Sequence, residues 1–170
     1  MKMKKNNQGF SLVELVIVAA IIVIIGGFAF TGIAILTSKP VDECAKKIQV
    51  ALESNRNTTM GKLSASISFY QDGSGNIFVE EQIDNSPAEI RQIGEDVVVE
   101  YGGAAGSLTE LPTLPDKLTL SFDRASGSLK PQADGSYVLR FAVSRGTAGE
   151  RGHRLLTVNI EKLTGRVSVE

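Results

Sequence analysis

Residues 4–27 read KKNNQGFSLVELVIVAAIIVIIGG, a short basic leader followed by one glycine and a long apolar run. Glu14 is the only carboxylate in this stretch. From Leu15 to Ser38 no side chain is charged, and about 24 residues of helix are long enough to cross the ~30 Å hydrocarbon layer of a bilayer. The stretch therefore predicts a membrane-inserted helix.

The charges around the apolar run predict its orientation. Lys2, Lys4 and Lys5 precede it with no acid before Glu14, so the positive-inside rule places the N-terminus in the cytoplasm and the chain after about Lys39 outside. An ordinary signal peptide fits poorly, since its apolar region spans ~7–15 residues and ends in a small-residue cleavage site. A plain anchor leaves Glu14 unexplained, because an ionised acid within a membrane costs a few kcal/mol.

Residues 9–14, GFSLVE, resemble the processing site of type IV pilins and type II secretion pseudopilins. The resemblance implies cleavage between Gly9 and Phe10 by prepilin peptidase and N-methylation of the new Phe10 amine. Glu14 then stands fifth in the mature chain, where it can offset the charge of a neighbouring subunit's N-terminus in apolar surroundings. The implied partners are prepilin peptidase, other pilin subunits, an inner-membrane assembly platform and the membrane.

Composition limits the other functions of this 170-residue chain. Its net charge is −1, and loss of the leader lysines leaves a mildly acidic protein, which argues against general coating of nucleic acid. Cys44 is the only cysteine, so no intramolecular disulfide can form, unlike in many major pilins. We expect Cys44 to be a small buried apolar residue rather than an intersubunit bridge.

Helical periodicity continues beyond the apolar run. Pro40 is expected to kink or briefly break the helix. After it, apolar residues recur at helical spacing against charged ones and predict an amphipathic helix that ends near Gly61. These apolar residues are Val41, Cys44, Ala45, Ile48, Ala51 and Leu52.

From about Leu63 the apolar period changes to two, which predicts half-buried antiparallel strands. The strands are expected at 65–69, 77–81, 97–101, 118–122, 139–143 and 156–160. Gly and Asp residues predict turns at 72–76, 125–127, 134–135 and 163–165. Long connections are expected around 85–87 and 102–115.

These elements predict an α+β fold, with one long N-terminal helix packed against an antiparallel sheet, which is the architecture of pilins. We expect four segments: a leader, a transmembrane and filament-core helix, an amphipathic continuation of that helix, and a β domain. Their boundaries are 1–9, 10–38, 39–61 and 62–170.

The order of elements and the C-terminal hairpin at 163–167, LTGRV, are similar to the minor-pilin group that contains type II secretion pseudopilin H and type IV minor pilin T. Residues 118–127 and 160–169 carry this resemblance. It implies a minor pilin or pseudopilin that resides first in the cytoplasmic membrane and then in a filament, in the periplasm or on the cell surface.

The sequence offers little for catalysis or metal binding. Asp72, Ser74 and Asn76 have the spacing that begins a calcium loop, but the sixth and twelfth positions are Ile77 and Ile83, so we favour a hairpin turn. The single histidine, at position 153, is expected to be a loop residue. No catalytic motif is present, and we expect no enzyme, no metal site and no cofactor.

Basic residues concentrate near the C-terminus, where Arg145 and Arg151 flank a glycine-rich loop and Arg154 and Arg166 follow. Such a loop could hold the phosphates of DNA, and some minor pilins of the resembled group bind DNA through a basic C-terminal region. The tail at 165–169 lacks the second arginine of their Gly-Arg-x-Arg motif. We favour solvation of the loop, or pairing with acids of a neighbouring subunit. A non-assembling receptor anchored by the same helix is a further alternative.

Overall fold

The computed structural model describes residues 12–61, 63–104, 106–145 and 154–170, except for the side chains of 23–38. Internal contacts divide the chain into two compact units, Met1–Leu36 and Thr37–Glu170. The second unit contains the described strands and the helical turns that pack against them.

Helix α1 spans Leu12–Met60 and contains Pro40. The sequence predicted a kink or a brief break at this proline. The break is wrong, because the helix is continuous there, and the kink stays a prediction. Proline inside a helix removes one hydrogen bond and costs ~3 kcal/mol. The turn that follows completely buries Val41 and Cys44, and this burial opposes the loss. The helix ends at Met60, directly before Gly61, as predicted.

The strands form two antiparallel sheets rather than the single sheet expected from the sequence. Their bounds are β1 Ala65–Gln71, β2 Ile77–Ile83, β3 Glu89–Gly94, β4 Val98–Gly102, β5 Thr109–Glu110, β6 Leu118–Ser121, β7 Arg140–Arg145, β8 Arg154–Ile160 and β9 Val167–Val169. The first sheet has the order β3-β2-β1-β6 and the second the order β5-β4-β7-β8-β9. The α+β class is confirmed.

Three of the nine described strands lie outside the six predicted ranges. One of them, β9, pairs with β8 in the C-terminal hairpin that the sequence indicated, but the other two were not predicted. β3 follows the stretch expected to be a loop, and β5 lies within the long connection expected at 102–115. β3 is an edge strand, and Ile93 is its only buried residue. The alternation of buried and exposed side chains that reveals a strand in a sequence is therefore absent from it.

The hydrophobic core joins one face of α1 to both sheets. Phe69 of β1 and Phe141 of β7 are fully buried, and their ring centroids lie 5.1 Å apart. Since β1 and β7 belong to different sheets, this contact links the two. The six apolar positions of the predicted amphipathic helix all lie in this core, which confirms the prediction; they are Val41, Cys44, Ala45, Ile48, Ala51 and Leu52.

Two turns in this unit share one backbone hydrogen-bond pattern. The Gly127 amide donates to the carbonyl of Asp123 at 2.9 Å, and the Gly165 amide donates to the carbonyl of Glu161 at 2.7 Å. Arg56 of α1 connects them, because its Nε donates to the Gly127 carbonyl at 3.3 Å and to the carbonyl preceding Gly165 at 2.7 Å. The last turns of α1 are thereby attached to both turns.

Candidate functional site

Glu14 lies in the first turn of α1. A carboxylate near a helix N-terminus is stabilised by the helix dipole, typically by 0.3–1 kcal/mol. Gly9 and Phe10, the predicted cleavage and methylation residues, lie outside the described residues. The structure therefore places Glu14 on α1, whereas its assembly role and the scissile bond remain predictions from the sequence.

The side chains that surround Glu14 are apolar and exposed. Leu12 is 79% exposed, and Leu15, Ile17 and Ile22 are each about half exposed or more. Since successive residues point about 100° apart around a helix, these positions cover more than one face. A helix that is apolar on several faces is stable where other molecules cover it.

Within the part of the chain that the structure describes, no helix combines the length and the apolar character needed to cross a membrane.

The structure brings together two of the four arginines considered for DNA binding. Arg145 of β7 and Arg154 of β8 are directly opposite each other in the sheet register. Each contacts a carboxylate of the same chain: Arg145 pairs with Asp96, and Arg154 Nη2 lies 3.0 Å from Asp42 Oδ1 of α1. Acids of the same chain thus contact both arginines, while the expected solvation of the loop or pairing with acids of a neighbouring subunit stays a prediction.

Arg166 does not join this pair. Arg166 is exposed and directly precedes β9, beyond the far end of β8 from Arg154, a separation of about 20 Å along the strand. Arg151 and His153 lie outside the described residues. Arg145, Arg154 and Arg166 therefore form no continuous basic surface for a nucleic acid backbone.

Cys44 is a buried thiol rather than a reactive one. Its side chain is 0% exposed, and this burial raises its pKa to about 12, although the nearby Lys47 ammonium acts in the opposite direction. The nucleophilic form of cysteine is the thiolate, so the side chain stays unreactive at neutral pH. The prediction of a small buried residue is confirmed.

Asp72 serves the hairpin turn between β1 and β2. The amides of Ser74 and Asn76 donate to its Oδ1 at 2.8 and 2.9 Å, and Asn76 Nδ2 donates to its Oδ2 at 2.9 Å. These hydrogen bonds, that from the Asn76 side chain foremost, lower the pKa of Asp72. The predicted turn is confirmed, and among the described residues no group of acids, histidines or cysteines could hold a metal ion.

A surface groove between α1 and the edge strand β3 was missed by the sequence analysis. It has a volume of about 280 Å³ and is lined by residues of α1, β2 and β3. The groove depends on β3, which was not predicted, so only the two adjacent exposed lysines on α1 could have signalled it. We call it the β3 groove and define it by Lys46, Lys47, Val50, Val79, Arg91 and Ile93.

Residues 4–30 fit the family model described as Prokaryotic N-terminal methylation motif. No curated protein and no solved structure matches the chain. The matched segment contains the predicted cleavage site and Glu14. It suggests a membrane-anchored precursor, and it implies processing by prepilin peptidase and assembly with other pilin subunits. The motif thus supports a type IV pilin-like family for this chain.

Proposed function

We propose that this chain is a minor pilin or pseudopilin subunit that enters a type IV pilus-like or type II secretion filament through its N-terminal helix. Prepilin peptidase cleaves between Gly9 and Phe10, and the Phe10 amine is methylated. The observation that carries the proposal is the methylation motif at 4–30, together with the position of Glu14 in the first turn of α1.

Glu14 is proposed to set the register of assembly. Cleavage creates a cation at Phe10, and this amine enters apolar surroundings when subunits pack together. A carboxylate from a neighbouring subunit offsets much of the cost of removing both charges from water. On this proposal, Glu14 of one subunit pairs with the Phe10 amine of the next.

The apolar segment is proposed to serve two environments in succession. It first holds the precursor in the cytoplasmic membrane as a single span, with the N-terminus inside and the β domain outside. After processing it packs in the filament core and contacts the assembly platform on the way. The exposed apolar side chains from Leu12 to Ile22 support this proposal, because both environments would cover them.

We propose that the β domain contacts other proteins and does not catalyse a reaction. The Cys44 thiol of α1, which is buried in the shared core and has a pKa of about 12, is not a nucleophile at neutral pH. In the β domain itself, Asp72 accepts the hydrogen bonds of its own turn. DNA binding receives no support from the described arginines, since Arg145 and Arg154 contact acids of the same chain.

Substitution of Glu14 tests the proposal. We predict that Glu14→Gln is processed and inserted normally but is absent from sheared filaments, because loss of one partner of a buried ion pair costs roughly 3–5 kcal/mol. The measurement is immunoblotting of membrane and sheared-filament fractions. Glu43→Gln, at an exposed position of the same helix, is the matched control and should assemble like the wild type.

Normal incorporation of Glu14→Gln would contradict the assembly role of Glu14. A wild-type chain that functions equally well in cells without prepilin peptidase would instead favour the non-assembling receptor.

A further inference from the structure

The β3 groove has an apolar floor and a basic rim. Val50 lies in it and is 60% exposed, whereas Val79 and Ile93 beneath are buried. Lys46 and Lys47 on α1 and Arg91 on β3 stand at its edges. Its volume of about 280 Å³ lies below the ~300–1,000 Å³ of typical small-molecule sites, so the groove suits one apolar side chain of a protein better than a small ligand.

The two lysines of the rim differ from its arginine in their ion pairs among the described residues. Arg91 contacts Glu81 and Glu89. In contrast, none of the ion pairs among the described residues involves Lys46 or Lys47. A complementary occupant would therefore present an apolar side chain flanked by acids.

Such a surface exists on the same chain, in the segment 110–116, which comprises the last residue of β5 and most of the loop that leads to β6. Leu114 is 47% exposed at this loop, and the exposed Glu110 and Asp116 flank it. The nearby Lys117 contacts Glu80, so its charge is balanced within the domain. We call the segment 110–116 the Leu114 loop.

Backbone hydrogen bonds hold the Leu114 loop in place. The Gln71 amide donates to the Pro112 carbonyl at 2.9 Å, and the Leu114 amide donates to the Gln71 carbonyl at 3.1 Å. Gln71 Nε2 also donates to the Leu111 carbonyl at 2.9 Å. A loop that is already ordered loses little conformational freedom when it binds.

The two surfaces lie at opposite edges of the first sheet. The β3 groove opens at the edge strand β3, whereas the Leu114 loop leads into β6 at the other edge. A contact between two different surfaces of identical chains is heterologous, and it propagates into a filament when it does not close into a ring.

We propose that the Leu114 loop of one copy of this chain inserts into the β3 groove of a second copy. Leu114 covers Val50 on the apolar floor, while Glu110 and Asp116 face Lys46 and Lys47. The inference rests on the proposed function, for which it names the partner and the surfaces of one contact between subunits in the filament.

Cysteine cross-linking of the full chain in cells with active prepilin peptidase tests the contact. Two differently tagged variants, Val50→Cys and Leu114→Cys, are coexpressed and oxidised. Cys44 can stay in place, because it is buried and its pKa is about 12. The matched control replaces Leu114→Cys by Leu163→Cys, whose position is 75% exposed but lies on the turn between β8 and β9.

We expect a cross-linked dimer that carries both tags, on the order of tenfold more abundant than with the Leu163→Cys control, since a disulfide needs Cα atoms within about 7 Å. Each variant expressed alone should give little dimer. Replacing Lys46 and Lys47 by Glu in the Val50→Cys copy should lower the yield about tenfold, because like charges then meet. Replacing Glu110 and Asp116 by Lys in the other copy should restore it.

Three results would each overturn the inference. The first is an equal yield with Leu163→Cys, the second is a cross-link between two Val50→Cys copies, and the third is a cross-link of Val50→Cys to a different subunit. The length of the chain in the same samples shows whether the leader has been removed. This measurement separates a failure of the proposed contact from a failure of the proposed function. A processed chain that enters filaments without the expected cross-link refutes the contact alone. An unprocessed chain that still forms the cross-link refutes the proposed function alone.

Discussion

The close approach of two turns at Gly165 allows a stability prediction with internal controls. Gly165 has a φ of +63°, and a Cβ added there would clash with the carbonyl oxygen of Gly127 and lie 3.0 Å from Arg56 Cδ. The left-handed conformation costs a residue other than glycine roughly 1–2 kcal/mol. Overpacking against backbone, which cannot rotate away, adds about 1–3 kcal/mol. We therefore predict that Gly165→Ala loses about 2–5 kcal/mol of stability.

Two other glycines separate these contributions. Gly75 has a φ of +80° but nothing within 4 Å of an added Cβ, so Gly75→Ala should lose only the conformational part, roughly 1–2 kcal/mol. Gly73 has open space and no positive φ, so Gly73→Ala should stay within about 1 kcal/mol of the wild type.

The assay is urea unfolding of residues 37–170, which form the second compact unit, followed by circular dichroism. The free energy of unfolding, obtained by linear extrapolation, should decrease in the order Gly73→Ala, Gly75→Ala, Gly165→Ala. Equal losses for Gly75→Ala and Gly165→Ala would show that the contact between the two turns does not constrain the fold.

Two further predictions concern the core. For Cys44, folding raises the pKa from 9.0 to about 12, so its contribution to stability is complete below about pH 9 and is lost as the pH rises towards 12. In urea unfolding between pH 7 and pH 11, the free energy of unfolding should decline less with rising pH for Cys44→Ala than for the wild type. An identical decline would show that Cys44 is not the origin of the pH dependence. Phe141 is fully buried against Phe69, so Phe141→Ala should lose about 3–5 kcal/mol in the same assay; a loss below 1 kcal/mol would show that the two sheets do not share this core.

The sequence predicted the elements whose burial alternates or repeats regularly. The helical face that includes Ile48 and Leu52 was identified because its apolar spacing matches the helical period. β6 was identified by the period-two alternation of its sequence, and its burial alternates in the same way. β3 was missed, since only Ile93 among its residues is buried, and an edge strand with exposed polar residues resembles a loop.

Local sequence patterns could not predict which strands pair with each other. β1 pairs with β6, and β4 pairs with β7, so the division into two sheets arises from contacts between residues distant in the chain. The partners of Arg145 and Arg154 were missed for the same reason, because Asp96 and Asp42 are far from them in sequence. The prediction of the methylation motif needed no tertiary information, since the motif is a contiguous segment.

The central claim is that prepilin peptidase cleaves this chain and that the mature N-terminus takes part in assembly. Intact-mass and N-terminal fragment mass spectrometry of the protein extracted from membranes of cells with active prepilin peptidase tests it most directly. The account predicts a chain that begins at Phe10 and carries one methyl group on its amine. A chain that still begins at Met1 in those cells would contradict it.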